Sequence, residues 1–269
     1  MTKNIKMLEN IAKEVRRDVL KATSEAEHGH PGGSLSCVEL LVALYFNKMR
    51  HNPKNPKWKN RDIFILDKGH AAPTLYKVLS KAGYFPASEN SYAKLDSGFE
   101  GHPVKDKCPG IEVSTGSLAQ GLSIGNGLAL AAKLDKKKSK VYVLIGDGTL
   151  NEGQVWEAAM TASHYKLNNL VCIIDRNKFQ LDGSTEKIKS VEPIAEKWKA
   201  FGWNVIEIDA HNFKEILSAF KRSDKQRKKP TVIIANSVKG KGISFMENDN
   251  YYHHITLQRH ELMKALKEL

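Results

Sequence analysis

Long apolar runs are missing from this 269-residue sequence. No stretch approaches the roughly 18 uninterrupted apolar residues that a membrane-spanning helix needs. The N-terminal segment carries charges throughout, where a signal peptide would have an apolar core. Cysteines are also few: three lie far apart, at positions 37, 108 and 172, which argues against a disulfide framework and a cysteine zinc site. We therefore predict a cytoplasmic protein that binds no membrane.

Acidic residues are outnumbered, 30 against 42 lysines and arginines, which gives a formal net charge of +12. A surplus of this kind raises the question of nucleic acid. The densest basic clusters, 133–140 and 221–229, each precede an apolar strand-like run, where a solvated loop is expected. No aromatic residue interrupts either cluster to stack on bases. We predict no nucleic acid partner, and we expect the charge to attract small anionic substrates.

Apolar periodicity indicates the fold class. Residues 5–26 repeat apolar side chains at helical spacing, and a second helix is predicted over 36–46. Beyond them, short runs that are apolar throughout alternate with helical stretches, which is typical of a mostly parallel sheet covered by helices on both faces. The predicted strands are 62–66, 140–145, 170–175, 203–209 and 230–236, and the predicted helices are 71–82, 117–134, 153–167, 193–201 and 212–222. We predict a single three-layer α/β/α domain over residues 1–269.

The segment LIGDGTLNEG places Asp147 between two glycines at the carboxyl end of the predicted strand 140–145. Glycines there let a backbone approach a phosphate, whereas a carboxylate would repel one. A strand–helix–strand crossover brings Asn177 to the same edge of the sheet. A carboxylate, an amide oxygen and a nearby backbone carbonyl suit Mg²⁺ or Ca²⁺. Such a cation would let Asp147 and a diphosphate share the site.

Three well-known binding motifs do not fit this segment. A dinucleotide-binding fingerprint needs glycine where Asn151 stands, and no P-loop pattern occurs. An EF-hand loop beginning at Asp147 would need glycine and glutamate where Glu152 and Ala158 stand. One alternative to a cation site stays open, an Asx-type turn in which Asp147 caps the helix 153–167.

Three histidines follow glycines: His30 in EHGHPGGS, His70 in DKGHAAP and His102 in EGHPVK. His70 comes after the predicted strand 62–66 and beside the start of a helix, where an anion is favoured. Histidine can donate to phosphate or move protons near neutral pH. Singly, each could be a loop histidine bonded to the backbone. Together, and beside Asp147, they indicate a site.

A helix predicted over 115–132 is rich in glycine and alanine, with Gly121 and Gly125 four residues apart. Glycine weakens a helix, so close approach by a neighbouring backbone is the expected compensation. Two interpretations stay open: tight packing inside the domain, or a helix–helix contact between two subunits.

Together these segments resemble the transketolase family of thiamine diphosphate enzymes. GHPGGSLS, GHA, GHP, STGSLAQG and GDG followed by N occur in the family's order and spacing over nearly the whole chain. The resemblance implies the thiamine diphosphate-binding fold, with thiamine diphosphate and Mg²⁺ as cofactors and Ca²⁺ as a substitute. It also implies transfer of a two-carbon ketol unit between sugar phosphates, as in the pentose phosphate pathway.

The resemblance implies roles for individual residues, position by position. The implied metal ligands are Asp147, Asn177 and the carbonyl of Phe179; the implied diphosphate contacts are His70, Gly116 and Gly148; the implied aminopyrimidine contact is Leu118; and the histidines implied to face the sugar hydroxyls are His30 and His102. Glu152 matches a residue that joins the two cofactor sites across a dimer. The family's late W-H-G reads YYHHI here, so His253 aligns with the histidine while His254 replaces the glycine, and the choice between them stays open.

A full transketolase has a second domain that supplies the pyrimidine pocket and a catalytic glutamate, and this sequence offers no counterpart. The resemblance therefore implies the N-terminal subunit of a split transketolase. We expect its partner to be a C-terminal transketolase subunit, with two copies of each chain. Two alternatives stay open: the alpha subunit of a 2-oxo acid dehydrogenase, against which the Gly–His series argues, and a non-catalytic binding protein that retains the cofactor fold.

Overall fold

The sheet at the centre of the molecule consists of five parallel strands. A computed structural model describes residues 2–86 and 91–269. The strands are β1 (Ile63–Leu66), β2 (Val141–Gly146), β3 (Leu170–Arg176), β6 (Asn204–Asp209) and β7 (Thr231–Asn236), in the spatial order β1-β2-β3-β7-β6. A separate antiparallel pair, β4 (Phe179–Gln180) and β5 (Gly183–Ser184), follows β3. All five predicted strands are confirmed.

Helices cover both faces of this sheet. Their bounds are α1 (Thr2–Ala26), α2 (Pro31–Leu35), α3 (Val38–Ala43), α4 (Ala72–Lys81), α5 (Gln120–Leu134), α6 (Gly153–His164), α7 (Thr185–Ile188), α8 (Ile194–Ala200), α9 (Phe213–Lys225) and α10 (Arg259–Glu268). Short 3-10 turns lie at Gly69–Ala71, Gly148–Asn151 and Asn250–His253, and a π-helical turn at Leu44–Lys48 extends α3.

Alternate residues of the strands point to opposite faces, so each strand contributes to two apolar clusters. On one face, Phe64, Tyr142 and Ile173 pack with α1, α3, α4 and α9. On the other face, Ile65, Val143 and Cys172 pack with α5, α6 and α8. Burial on both faces explains why the strands are apolar throughout. The predicted three-layer α/β/α architecture is confirmed.

Two boundaries differ from the predicted ones. The helix predicted over 115–132 begins at Gln120, because Ala119 adopts φ +71°, a left-handed conformation that stops the helix from extending backwards. The second helix, predicted over 36–46, is preceded in the GHPGGS segment by the short helix α2, with Pro31 at its first position.

Among residues 2–86 and 91–269, no helix combines the length and the apolar character needed to cross a bilayer.

Candidate functional site

Asp147 and Asn177 lie at the carboxyl ends of neighbouring strands. Gly146, the last residue of β2, pairs with Asp175 in β3, so the residues that follow these two strands begin side by side. The Asp147 side chain is 1% exposed. Its Oδ1 accepts from the Gly148 amide at 2.9 Å, and its Oδ2 accepts from the Lys178 amide at 2.6 Å. The two predicted ligands therefore share one edge of the sheet.

The capping alternative for Asp147 is wrong for the helix in question. Helix α6 begins at Gly153, and its N-cap residue is Glu152, whose side chain makes no capping bond. Asp147 caps only the preceding 3-10 turn, through the bond to Gly148. This local cap uses only Oδ1 of Asp147. It does not account for Oδ2, which accepts from the Lys178 amide in the segment after β3.

The polar atoms around Asp147 fit a hard cation. Asn177 is buried, and its Oδ1 accepts from the Phe179 amide at 3.0 Å, which places Phe179 beside Asn177. Burial first, and then the charge of Asp175, raise the pKa of Asp147 to about 7. A divalent cation would favour the ionised carboxylate. Within the described residues, no group of three or more His, Cys, Asp or Glu side chains is arranged to hold a metal, so a cation here would rely on the amide and carbonyl oxygens.

A buried ion pair, which the sequence did not reveal, lies beneath this edge. The Lys68 Nζ donates to Asp175 Oδ2 at 2.5 Å and to the Gly33 carbonyl at 2.8 Å. Asp175 also accepts from the hydroxyls of Ser36, at 2.6 Å, and Ser237. Burial is the largest single influence and alone would lower the pKa of Lys68, but the charge of Asp175, the Cys37 thiol and the hydrogen bond to Asp175 together outweigh it and raise that pKa. The pair joins β3 and the segments after β1 and β7 to α2.

Four histidines lie close together near this buried ion pair. The His30 ring centroid lies 5.1 Å from that of His70, 5.5 Å from that of His253 and 6.4 Å from that of His102. His254 is exposed and shares none of these ring contacts, so the structure favours His253 over His254. His30 Nδ1 is buried, and no hydrogen-bond partner for it occurs among the described residues. Such an orphaned polar atom is suited to a ligand hydroxyl.

Burial keeps these imidazoles uncharged at neutral pH. Burial first, and then His102, lower the pKa of His30 to about 4. Burial first, and then Lys239, lower the pKa of His253 to about 3. The pKa values of His70 and His102 are also lowered, chiefly by burial. Neutral imidazoles carry both a donor and an acceptor nitrogen, which suits contacts with sugar hydroxyls.

A second buried lysine, Lys239, was likewise not predicted from the sequence. Its side chain is 1% exposed, and its Nζ lies 2.6 Å from Asn250 Oδ1 and 2.7 Å from His253 Nδ1. Burial first, and then Lys68, lower the pKa of Lys239 to about 7. Two buried ammonium groups near one carboxylate edge fit a ligand with several negative charges. The signal in the sequence was a lysine placed just after each of the strands 62–66 and 230–236.

The remaining predicted cofactor contacts lie in the loop before α5 and at the start of α6. Gly116 and the partly exposed Leu118 lie in the loop before α5, and a Cβ built on Gly116 would sit 3.5 Å from the His102 ring. A Cβ on Gly69 would come within 2.9 Å of Thr115 Oγ1, so this glycine allows the close approach of two loops. Glu152 is exposed at the start of α6.

The glycines of α5 have different surroundings. Cβ atoms on Gly121 and Gly125 would lie 2.8 Å from Asp67 and from Val143, so both glycines bring the helix close to the sheet. The interpretation of tight internal packing is therefore right for this pair. Gly127 differs, since outside its own helix no atom of the described residues lies within 4 Å of the position of its Cβ.

Comparison with known proteins places this arrangement in a family. A family model described as "Transketolase, thiamine diphosphate binding domain" matches residues 7–269. An apulose-4-phosphate transketolase subunit from Actinobacillus succinogenes is 46% identical over 265 residues, covering 97% of this chain and 95% of that protein. The 6-deoxy-6-sulfo-D-fructose transketolase subunit SqwG from Clostridium sp. (strain MSTE9) is 41% identical over 263 residues, covering 97% and 96%.

Comparison with a solved structure indicates the same family. The transketolase of Campylobacter jejuni superposes with a TM-score of 0.89 at 32% identity, covering 99% of this chain and 42% of that one. This chain is thus the thiamine diphosphate-binding component of an enzyme. It belongs to the transketolase family, and it corresponds to the Actinobacillus and Clostridium subunits along nearly their whole length. The prediction of a transketolase subunit is confirmed, and the 2-oxo acid dehydrogenase alternative is not favoured.

Proposed function

We propose that the chain binds thiamine diphosphate through a Mg²⁺ ion held by Asp147, Asn177 and the carbonyl of Phe179, a role that Ca²⁺ can also fill. The observation that supports this most directly is the convergence of a buried carboxylate and a buried amide at the carboxyl edge of β2 and β3. Oxygen ligands of this kind suit a hard cation. The cation would offset the charge of Asp147 and bind the diphosphate.

The diphosphate end of the cofactor would lie among basic and neutral donors. Lys68 and Lys239 supply positive charge, while His70 and the backbone near Gly116 and Gly148 supply hydrogen-bond donors. Leu118, in the loop before α5, would contact the aminopyrimidine ring. Thiamine diphosphate itself supplies the carbon nucleophile that carries the two-carbon unit. The role of this chain is to hold the cofactor's charged end and to orient the sugar.

His30, His102 and His253 would bind the sugar hydroxyls and move protons between them. Their lowered pKa values keep them neutral near pH 7, so each can accept or donate. We expect ketoses with an anionic end group as substrates. The relatives are named for a phosphorylated sugar and a sulfonated one. A place in the pentose phosphate pathway therefore stays a prediction, as does the cytoplasmic location.

The proposed reaction is tested on the chain combined with its native partner. We expect ketol transfer from phosphorylated or sulfonated ketoses to an aldose acceptor, measured by product analysis with and without Mg²⁺. Oxidative decarboxylation of a 2-oxo acid in place of ketol transfer would overturn the proposal.

The affinity for Mg²⁺–thiamine diphosphate should pass through a maximum near pH 7. Below that pH, Asp147, with a pKa of about 7, takes up a proton that the cation must displace. Above it, Lys239, also with a pKa of about 7, loses a proton that the diphosphate must restore. Each linked proton changes the affinity by up to about tenfold per pH unit. Titration calorimetry between pH 6 and 9 measures both limbs.

Lys239→Met should remove the alkaline limb, because no ammonium group is left to titrate. The matched control is Lys241→Met, since the Lys241 Nζ lies at the surface, 3.1 Å from Glu247. The control should keep both limbs. An alkaline limb that persists unchanged in Lys239→Met would rule out Lys239 as a diphosphate ligand.

We also place the contact with other subunits on the outer face of α5 and α6. A groove of about 350 Å³ lies between these helices and is lined by Gly127, Leu130 and Tyr165 among others. The side chains of Ile124, Met160 and Tyr165 are exposed around it. The buried Asn126 Oδ1, on the wall of the groove, has no hydrogen-bond partner among the described residues. Glu152, exposed nearby at the start of α6, would contact the second copy in a complex of two copies of each chain.

Met160→Glu should weaken assembly with the partner by roughly 10- to 100-fold, because a charge is costly in a desolvated contact. The thermal stability of the free chain should stay the same, since Met160 is 53% exposed. The matched control is Met263→Glu on α10, a methionine that is 56% exposed and lies on the opposite face of the sheet. Sedimentation velocity with added partner measures assembly. Equal losses in the two variants would contradict the assignment of this face.

A further inference from the structure

The segment that carries Lys239 into the site, residues 237–242, is fixed at nearly every position. We call it the lysine segment. The Ser237 hydroxyl donates to Asp175, the Gly240 amide donates to the Gly32 carbonyl at 2.9 Å, and the Lys239 carbonyl accepts from the Asn248 amide at 2.9 Å. Gly240 and Gly242 adopt φ +75° and +96°, which glycine tolerates best. A segment with two such residues needs outside contacts to hold one conformation.

One of these contacts comes from His211, in the loop that follows β6. His211 Nε2 accepts a hydrogen bond from the Val238 amide at 2.9 Å. Because this nitrogen accepts, the ring proton lies on Nδ1, which donates to Glu39 Oε2 at 3.1 Å. His211 therefore connects α3 to the peptide bond between Ser237 and Val238, one residue before Lys239.

Glu39 is itself held in place. The Arg16 Nη2 lies 2.6 and 2.7 Å from its two carboxylate oxygens, and both side chains are buried. The Arg16 Nε also donates to the Lys241 carbonyl at 3.0 Å. Burial alone would raise the pKa of Glu39, but Arg16 and His211 outweigh it and lower that pKa, so the carboxylate stays ionised. Hydrogen bonds therefore hold the backbone on both sides of Lys239: His211 bonds Val238, and Arg16 bonds Lys241.

We propose that His211 is a positioning residue for Lys239: its bond to the Val238 amide fixes the lysine segment so that the Lys239 ammonium group reaches the bound diphosphate. This inference rests on the proposed function of Lys239. Among the described residues, the His211 ring bonds only Glu39 and Val238, and it reaches neither the histidine cluster nor the Asp147 edge. Its effect on the cofactor must therefore pass through the lysine segment.

Two substitutions separate the contacts of His211. The carbonyl oxygen of glutamine in His211→Gln can take the place of Nε2 and accept from Val238. In His211→Asn the shorter side chain reaches only the position of Nδ1, which keeps the contact with Glu39 and loses the one with Val238. We expect His211→Asn to weaken thiamine diphosphate binding by ~10-fold or more, a typical effect of losing a supporting contact, and His211→Gln to stay within ~3-fold of the unchanged protein.

The deciding measurement is a double-mutant cycle with Lys239→Met on the assembled complex, with Mg²⁺–thiamine diphosphate affinity as the readout. If His211 acts through Lys239, then His211→Asn should cost nothing further once Lys239 is methionine. An equal loss in both backgrounds would show an independent, merely structural role and would overturn the proposal. His164→Ala, an exposed histidine at the end of α6, serves as the control and should change nothing.

Should His211→Asn not purify in a folded form, the glutamine variant decides, because a ~10-fold loss there would implicate Glu39 in place of Val238. Failure of the unchanged complex to bind thiamine diphosphate at all would overturn the proposed function, and this inference with it. Normal binding with additive variants would overturn the inference alone.

Discussion

Replacing Asp147 by asparagine should abolish Mg²⁺-dependent binding of thiamine diphosphate, lowering the affinity by at least ~100-fold, while the free chain stays folded. The asparagine side chain lacks the negative charge that would hold the cation. It has a similar shape and can still accept from one of the two backbone amides that Asp147 now bonds, Gly148 or Lys178. Titration calorimetry on the assembled complex measures the affinity. The unchanged complex should also gain about 2.7 kcal/mol of stability at a cofactor concentration 100 times its Kd, and the variant should gain no more than about 0.4 kcal/mol at the same concentration.

The pH dependence of stability, measured on the free chain without cofactor or partner, gives a second test of Asp147. The folded pKa of Asp147, about 7, lies above the value of 3.8 that applies when the chain is unfolded. The unfolded chain therefore loses its proton first, and the unchanged protein loses stability as the pH rises from about 4 to about 7. The stability of Asp147→Asn should improve relative to the unchanged protein across that window and stay level above it. Asp182→Asn, at an exposed aspartate nearby, is the matched control. Unchanged cofactor affinity in Asp147→Asn would refute the metal assignment.

The purified chain alone should show almost no ketol transfer, and adding its partner should restore full turnover. The site lies at the carboxyl edge of one sheet, and in our proposal the described residues provide the metal, diphosphate and sugar contacts. The acid that serves the aminopyrimidine ring is expected on the partner, and a general acid of this kind contributes ~10²–10⁴-fold to a rate. We expect a deficit of at least that size.

Activity is measured on the chain alone and during titration with the partner. The titration should saturate at one partner per chain, and mass measurement should give two copies of each. Asp147→Asn, mixed with the same partner, should assemble but stay inactive, which separates assembly from catalysis. Full turnover by the chain alone would contradict the division of roles between the two subunits.

The strands and the carboxylate edge could be predicted because both follow from local rules. A strand buried on two faces must be apolar throughout, and parallel strands bring the residues that follow them to one edge. The placement of Asp147 and Asn177 at one edge therefore followed from the sequence, while their role as metal ligands stays a prediction. The start of α5 was missed because Ala119 adopts a left-handed conformation that is usual for glycine, and nothing in its identity announces this.

Lys68 and Lys239 were missed for a different reason. Lysine is normally solvated, and its burial depends on partners brought in by the fold. Asp175 stabilises Lys68 from 107 positions away, and the Glu39 that orients His211 lies 172 positions from it. Contacts at such separations leave no periodic pattern in a single sequence. The fold determines them, and they became visible only in three dimensions.

The buried pair of Lys68 and Asp175 has a consequence for how this protein evolves. Loss of either partner leaves the other as an uncompensated buried charge, which typically costs about 3–5 kcal/mol and is large against the ~5–15 kcal/mol of a whole domain. Single substitutions of either residue should therefore destabilise the protein, so we expect the two residues to change together. Changes in sugar preference should then arise at residues that contact the sugar and lie outside this buried pair.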